Sequence, residues 1–292
     1  MKIPFEYILG FLQFLKKNDE IIEVITYEDL PWGDDYGYEK SYQLEFKNWK
    51  QQLASGERDK NKIYVLLQQD VDSFPQRSMA VMNEQAKLGI FSTFMIFNKG
   101  SVNRRKYSEG ILELTSYPLD FSTMEYLERE KGFVFGYHCN AFEKALFDRE
   151  KALQIFEEDV KLLRQYFKVN YFSAHGGVKG PNGELNRDLG IPSSLNLDIR
   201  WVHNGGTPIF DGNYSDGGWG SSTYGLRDRD IRSFVATWKQ GNRYRVLTHP
   251  QYYNTPCTPA DFYVGQLWHD EIINYFIENP GSSVWEDFKL SL

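Results

Sequence analysis

The chain has 292 residues, 41% hydrophobic and 25% charged, enough for a full core in one large domain or in a core with extensions. Its 33 basic and 40 acidic side chains leave a net charge of −7, which argues against non-specific nucleic-acid binding and against an anionic membrane surface. Two cysteines, Cys139 and Cys257, are too few for a disulfide framework, so a reducing, cytoplasmic setting is expected.

The N-terminal stretch MKIPFEYILGFLQFLKKNDE reads as an amphipathic helix over 4–17. Pro4, Glu6 and Gln13 break its apolar run, and no small-residue cleavage site follows, so it is not read as a signal peptide. No stretch approaches the roughly 18 apolar residues of a membrane span. IIEVITY (21–27) fits a strand, and Gln43–Ala54 a helix after the polar turn WGDDYGY. Residues 1–60 are expected to form an N-terminal helical extension packed on a core domain over 61–292.

From residue 62 strand and helix patterns alternate. IYVLL (63–67) is a strand. Ser73-Phe-Pro75 then opens a helix, with a hydroxyl near the cap and Pro in the first turn. The helix runs to Leu88, with Gly89 as its stop. IFSTFMIF (90–97) and FVFGY (133–137) are the next strands. Ala152, Phe156, Val160, Leu163 and Phe167, spaced 4, 4, 3 and 4 apart, lie on one face of a long helix. NYFSA (170–174) and YRVLT (244–248) are further strands, and LNLDIRWV (195–202) a weaker one. The chain between 176 and 230 reads as functional loops, rich in Gly, Asp and aromatics. Repeated strand–helix–strand units imply a parallel sheet, open or closed into a barrel.

Chemistry gathers where the strands end. The chain has five histidines, and three of them follow strand-like runs directly: His138 after FVFGY, His175 after NYFSA and His249 after YRVLT. Asp70 and Asp72 follow VLLQQ in the same way. In parallel β/α folds such strand ends converge on one face. Each residue alone is often a hydrogen-bonded loop group or a helix cap, but four coincident strand ends argue for one cleft. Oxygen and imidazole donors without thiolate suit Zn²⁺ or another divalent metal. Asp70 and Asp72, two apart, face the same side. One can be a ligand and the other a base toward a water acidified to a pKa near ~7 by the metal. A remaining histidine can serve as general acid. His203 is a weaker candidate. His269 sits in a helical pattern, and Cys139 reads as a small buried residue rather than a nucleophile.

These motifs resemble the polysaccharide deacetylase superfamily, carbohydrate esterase family four, and within it the deacetylase-like subgroup found among bacterial surface-polysaccharide genes. Gln69-Asp70-Val71-Asp72 stands where that subgroup has His-Asp-Val-Asp. AKLGIFSTFMIF, Gly136-Tyr137-His138, SAHGG (173–177), YSDGGW (214–219) and LTHPQYY (247–253) follow in the subgroup's order, over about residues 62–255. The resemblance implies a distorted (β/α)₇ barrel and metal-dependent removal of an acetyl group from an N- or O-acetylated sugar. It implies Asp70 as base, His249 as general acid, and Asp72 and His138 as metal ligands, with His175 as a third. Asp216, Trp219 and Tyr252 fall in its substrate-facing loops. The implied cofactor is Zn²⁺ or another divalent metal, and the implied partner an acetylated saccharide, not nucleic acid. Two departures stand out. Gln69 replaces the leading histidine, and Phe142 stands four residues after His138, where the family has a second histidine. They motivate a second reading, a non-catalytic carbohydrate-binding protein on the same fold. A metal hydrolase acting on a different amide or ester is a third.

Overall fold

Period-2 and period-3.6 segments of the sequence become alternating strands and helices in the structure, a computed structural model that describes residues 3–33, 38–72, 74–101, 114–116, 119–176, 179–190, 197–202, 210–217 and 231–255. The N-terminal part forms β1 (Ile3–Pro4), α1 (Phe5–Lys17), β2 (Ile22–Ile25) and α2 (Tyr38–Ser55). The alternating part follows with β3 (Ile63–Asp70), α3 (Pro75–Leu88), β4 (Thr93–Ile96), an antiparallel pair β5 (Lys99–Ser101) and β6 (Leu114–Ser116), and α4 (Phe121–Lys131). Then come β7 (Val134–Cys139), α5 (Ala141–Lys144), α6 (Arg149–Leu163), β8 (Tyr171–Ala174), β9 (Arg200–Trp201) and β10 (Gly212–Ser215). Last are α7 (Ile231–Val235), β11 (Arg243–Thr248) and β12 (Tyr253–Thr255).

The main sheet is parallel and curled, with strand order β10-β11-β3-β4-β7-β8-β9 and β2 as an additional partner of β3. Among the described residues no pairing joins β9 to β10, so the curl stays open there. This is the expected distorted (β/α)₇ architecture. Strand β3 is its hub. One edge carries β11 along its length, from Arg243↔Tyr64 to Thr248↔Gln69. The other edge is shared: β2 takes the first half, Ile22↔Ile63 to Ile25↔Leu66, and β4 the second, Gln68↔Thr93 to Asp70↔Met95.

Alternation along the strands separates two environments. Ile63, Val65 and Leu67 pack with Phe11 and Leu15 of α1 and with Trp238. Tyr64 and Leu66 pack instead with Tyr27, Trp49 of α2, Met95, Val134 and Tyr171. The Tyr27 ring meets the Tyr171 ring at 5.4 Å while its hydroxyl reaches Gln68, thereby linking β8 to β3 across the curl. That second face is therefore the inside. At its base Arg243 and Glu45, both fully buried, form a two-pronged ion pair at 2.5 and 2.7 Å. Gly136 also faces inward. A Cβ there would lie 2.7 Å from the Tyr171 carbonyl oxygen, so only glycine lets β7 and β8 approach at this point.

Several boundaries differ from the sequence reading. Gly89 ends α3 in the left-handed region, φ 68°, as expected. At the start of α3 the cap position is Phe74, φ 51°, with no side-chain cap bond, and Ser73 lies outside the described residues. The strand expected over 90–97 begins only at Thr93, because Ile90 is held in the helix C-terminal turn by its N–H bond to the Gln85 carbonyl. The buried stripe Ala152, Phe156, Val160 and Leu163 lies on α6, while Phe167 is buried just beyond the helix end. Of the stretch expected over 195–202, the described residues 197–202 carry a strand only at Arg200–Trp201. The stretch read as loop contains β10, whose GNYS sequence carries little strand signal; its register beside β11 supplies the order instead.

Candidate active site

Parity and strand order decide what meets at the open end of the curl. Tyr64 and Leu66 point inside, so Asp70 does too, and Asp72 follows just beyond the strand. Val134 on β7 and Tyr171 on β8 share that environment, which carries His138 and His175 inward. His249 follows β11, the neighbour of β3. Asp70, His138 and His175 are almost completely buried, whereas the side chains of Asp72 and His249 keep 14% and 13% exposure and form the accessible side.

Asp72 is the junction. Its Oδ1 lies 3.0 Å from His138 Nε2 and 3.8 Å from His175 Nε2. Its Oδ2 lies 3.9 Å from His249 Nε2 and accepts a 3.1 Å bond from Gln251 Nε2. Burial pushes the Asp72 carboxyl pKa up, but the His138 hydrogen bond and the charges of His175, His249 and His138 outweigh it and hold the group well below the usual carboxylate range. Asp70 Oδ2 lies 3.7 Å from His138 Nε2, and its Oδ1 accepts a 2.8 Å bond from Gln68 Nε2. For His138 burial opposes charge, yet Asp70 and the Asp72 hydrogen bond raise its pKa.

Asp72, His138 and His175 each offer one ligand atom, and these atoms lie within 4.8 Å of one another. The surroundings fit a divalent metal. His138 Nδ1 is 3.0 Å from Ser173 Oγ, and His175 Nδ1 is 2.9 Å from Glu143 Oε2. With Nδ1 of each ring engaged, both Nε2 atoms turn toward Asp72, which is how supporting groups orient metal-binding imidazoles. Asn186 donates to the same Glu143 oxygen at 3.0 Å and to the His175 carbonyl at 3.2 Å. Phe97 stacks on His138 at 4.9 Å and meets His175 edge-on at 5.0 Å, giving one wall of the cradle an apolar face. Three protein donors of N, N and O type leave positions for water and substrate, the pattern of catalytic zinc sites.

His249 is built separately. Its Nδ1 lies 2.5 Å from Asp216 Oδ1, its backbone N–H donates to Asp216 Oδ2 at 2.8 Å, and the Tyr253 hydroxyl donates to that oxygen at 2.8 Å. Burial favours neutral imidazole, but the Asp216 charge and hydrogen bond, with Asp72 and Asp70 behind them, raise the His249 pKa to about 10. Asp216, placed in a substrate-facing loop by the sequence reading, is fully buried with both oxygens engaged inside the protein. Tyr252 keeps partial exposure, its ring 5.5 Å from the His249 ring. Trp219, His203, His269 and Cys257 lie outside the described residues.

The two departures noted in the sequence sit away from this cradle. Gln69 has the opposite parity to Asp70 and accepts a bond from Thr248 Oγ1 at 2.7 Å. Phe142 packs on Phe147 at 5.1 Å in the outer apolar cluster. Its neighbour Glu143 turns inward instead and holds His175. Cys139 is buried, and burial pushes its thiol up to about 12, unlike a nucleophile. Sequence reasoning missed Glu143, Ser173 and Gln68. Ser173 and Gln68 were findable from strand parity, whereas Glu143 required knowing how α5 turns.

No family model and no curated protein sequence matches the chain. Among solved structures it is similar to the peptidoglycan deacetylase PdaC from Bacillus subtilis, with TM-score 0.39 and 14% identity over 72% of this chain and 86% of that one. It is similar to the chitin deacetylase from the fungal pathogen Colletotrichum lindemuthianum, with TM-score 0.39 and 13% identity over 70% and 82%. It is also similar to the catalytic domain of the peptidoglycan N-acetylglucosamine deacetylase from Eubacterium rectale, with TM-score 0.36 and 13% identity over 75% and 86% of the two chains.

Proposed function

We propose that this protein is a metal-dependent hydrolase that removes an acetyl group from an N- or O-acetylated sugar, acting on a saccharide precursor in bacterial surface-polysaccharide biosynthesis. The observation that carries the reading is the convergence of Asp72, His138 and His175 within 4.8 Å, flanked by the buried Asp70 carboxylate and by the His249 imidazole paired with Asp216. The acetyl-sugar class and the biosynthetic setting are supported by the order of the sequence motifs. A cytoplasmic setting is supported by the scarcity of cysteine, with Cys139 free and buried.

A divalent metal held by Asp72, His138 and His175, with zinc favoured by the donor set, would supply Lewis-acid polarisation of the acyl carbonyl and an acidified water. The protein's own groups divide the proton work. Asp70 Oδ1 is tied to Gln68, so Oδ2 is the atom that accepts a proton from the attacking water. His249 Nδ1 is tied to Asp216, so Nε2 carries the proton that the leaving nitrogen or oxygen requires. Glu143 and Ser173 hold the two imidazole planes, and Phe97 keeps bulk water from their inner side.

The test joins metal content to acetate release. Wild type and Asp72→Ala are analysed for metal and incubated with the trimer of N-acetylglucosamine and with acetylated monosaccharides. About one equivalent of metal and acetate release in wild type, both lost in the variant, are expected. Saccharide binding with no acetate release at full metal occupancy would instead support the binding-only reading.

A further inference from the structure

Beneath the candidate base the inside of the curl is not purely apolar. Asp70 Oδ1 accepts from Gln68 Nε2 at 2.8 Å, and Gln68 Oε1 accepts from the Tyr27 hydroxyl at 2.7 Å. The positive charge of the Arg245 guanidinium acts on the Tyr27 hydroxyl from the same interior, against the burial that raises its pKa. Tyr27, Gln68, Asp70 and Arg245 are all buried, none more than 1% exposed. Tyr27 is itself held from three sides. Its carbonyl accepts from the Trp32 indole at 2.8 Å and the Tyr171 hydroxyl at 3.1 Å, and its ring packs on Tyr171.

Donor and acceptor chemistry gives this column a direction. Arg245 can only donate. With that positive charge beside the Tyr27 oxygen, the Tyr27 proton points away from it, at Gln68 Oε1. Gln68 must then turn its carbonyl to Tyr27 and its NH₂ to Asp70. The opposite amide orientation would set a carbonyl against a carboxylate and leave two buried groups unmatched, a cost of about 1–3 kcal/mol each. Asp70 thus receives a fixed donor on one oxygen, and the other oxygen is presented to the site.

We infer that Arg245, Tyr27 and Gln68 are positioning residues that fix which oxygen of Asp70 faces the reaction, and that the N-terminal segment carrying Tyr27 is therefore part of the active site's construction. The inference rests on the reading of Asp70 as the base. Tyr27 lies 41 residues before Gln68 and outside every motif of the sequence analysis. It arrives because β2 occupies the first half of the β3 edge and delivers the following turn into the curl. In these bonds Tyr27 and Gln68 meet the site through Asp70, so their substitution is expected to act on the base and not on metal capture.

The experiment compares wild type with Tyr27→Phe, which keeps the ring packing and deletes the hydroxyl, and with Gln68→Met. Metal content, melting temperature, kcat and KM on the N-acetylglucosamine trimer and 4-nitrophenyl acetate, and crystal structures are measured. The expected result is a fall in kcat of about 10- to 100-fold with KM and metal content unchanged, and a turned Gln68 amide or displaced Asp70 in the crystal structure of Tyr27→Phe. Unchanged kcat, or an Asp70–Gln68 contact kept at its wild-type geometry, would overturn the inference. Joint loss of metal and folding in both variants would also overturn it, as the behaviour of merely structural residues. If wild type itself releases no acetate from either probe, the acetyl-hydrolase reading fails, and the crystallographic comparison still decides whether the column sets Asp70.

Discussion

His249 Nδ1 and Asp216 Oδ1 stand 2.5 Å apart at the ends of two adjacent strands, and the second oxygen of the same carboxylate accepts the His249 backbone N–H at 2.8 Å. One buried carboxylate thus fixes both the ring and the chain of the residue proposed to offer a proton. Asp216→Asn removes the largest influence that opposes burial and raises the His249 pKa to about 10. The pKa of His249 falls in the variant, so its proton is lost at lower pH. The alkaline limb of the kcat profile should move to lower pH, with the acid limb in place, and His249→Ala should lose about 10²–10⁴-fold. A pH–rate profile of both variants checks this. An alkaline limb that stays put in Asp216→Asn would remove His249 from the role of acid.

Metal affinity should depend on residues that never touch the metal. Glu143 is 2.9 Å from His175 Nδ1 and shares the same oxygen with Asn186. Glu143→Ala frees the imidazole to rotate and to change tautomer. Zn²⁺ affinity should drop about 10- to 100-fold, while His175→Ala and His138→Ala should abolish binding. Calorimetric titration of the apoprotein gives the three values directly. Equal affinity in Glu143→Ala and wild type would show that His175 is not a ligand.

Placing histidines at the two departures from the resembled motifs should add nothing. Gln69 bonds to Thr248 on the face opposite Asp70, and Phe142 sits against Phe147 in an apolar cluster. Gln69→His and Phe142→His are therefore expected to keep a stoichiometry of about one metal and unchanged affinity, with Phe142→His losing about 1–3 kcal/mol of stability through a polar group placed in the core. Tighter Zn²⁺ binding in either variant would mean that α5 turns differently from the structure described above.

How much of this was legible in the sequence follows from the range of each interaction. Asp70, Asp72, His138, His175 and His249 were visible because strand parity and strand ends are local properties. The helix α3 was visible through Pro75 and Gly89, which act on their own backbone. Strand β10 was not, because Gly212–Ser215 is ordered by pairing with β11, some thirty positions on. Gln69 and Phe142 cast doubt on the metal site when read in the sequence alone, with His175 as the replacement that reading allowed, and the reason is related. A residue missing from a linear motif looks like a gap in the site, whereas β3 parity turns Gln69 away and β8 brings His175 in from elsewhere. Tyr27 had no local signal at all, since its hydroxyl matters only once β2 docks on β3.

The base of the curl should govern stability rather than chemistry. Glu45 and Arg243 are both fully buried, and Arg243 also lies over the rings of Trp49 at 4.7 Å and Phe46 at 5.2 Å. Burial raises the Glu45 carboxyl pKa against the pull of Arg243, the sign of a pair whose desolvation consumes much of its attraction. Glu45→Met strands a buried guanidinium and should cost about 3–5 kcal/mol, whereas the double variant Glu45→Met with Arg243→Met removes both charges and should cost far less than the two single changes together. Denaturant unfolding of the four proteins closes the cycle. A single-variant cost below about 1 kcal/mol would place the pair among exposed salt bridges, and α2 would then not seal the bottom of the sheet.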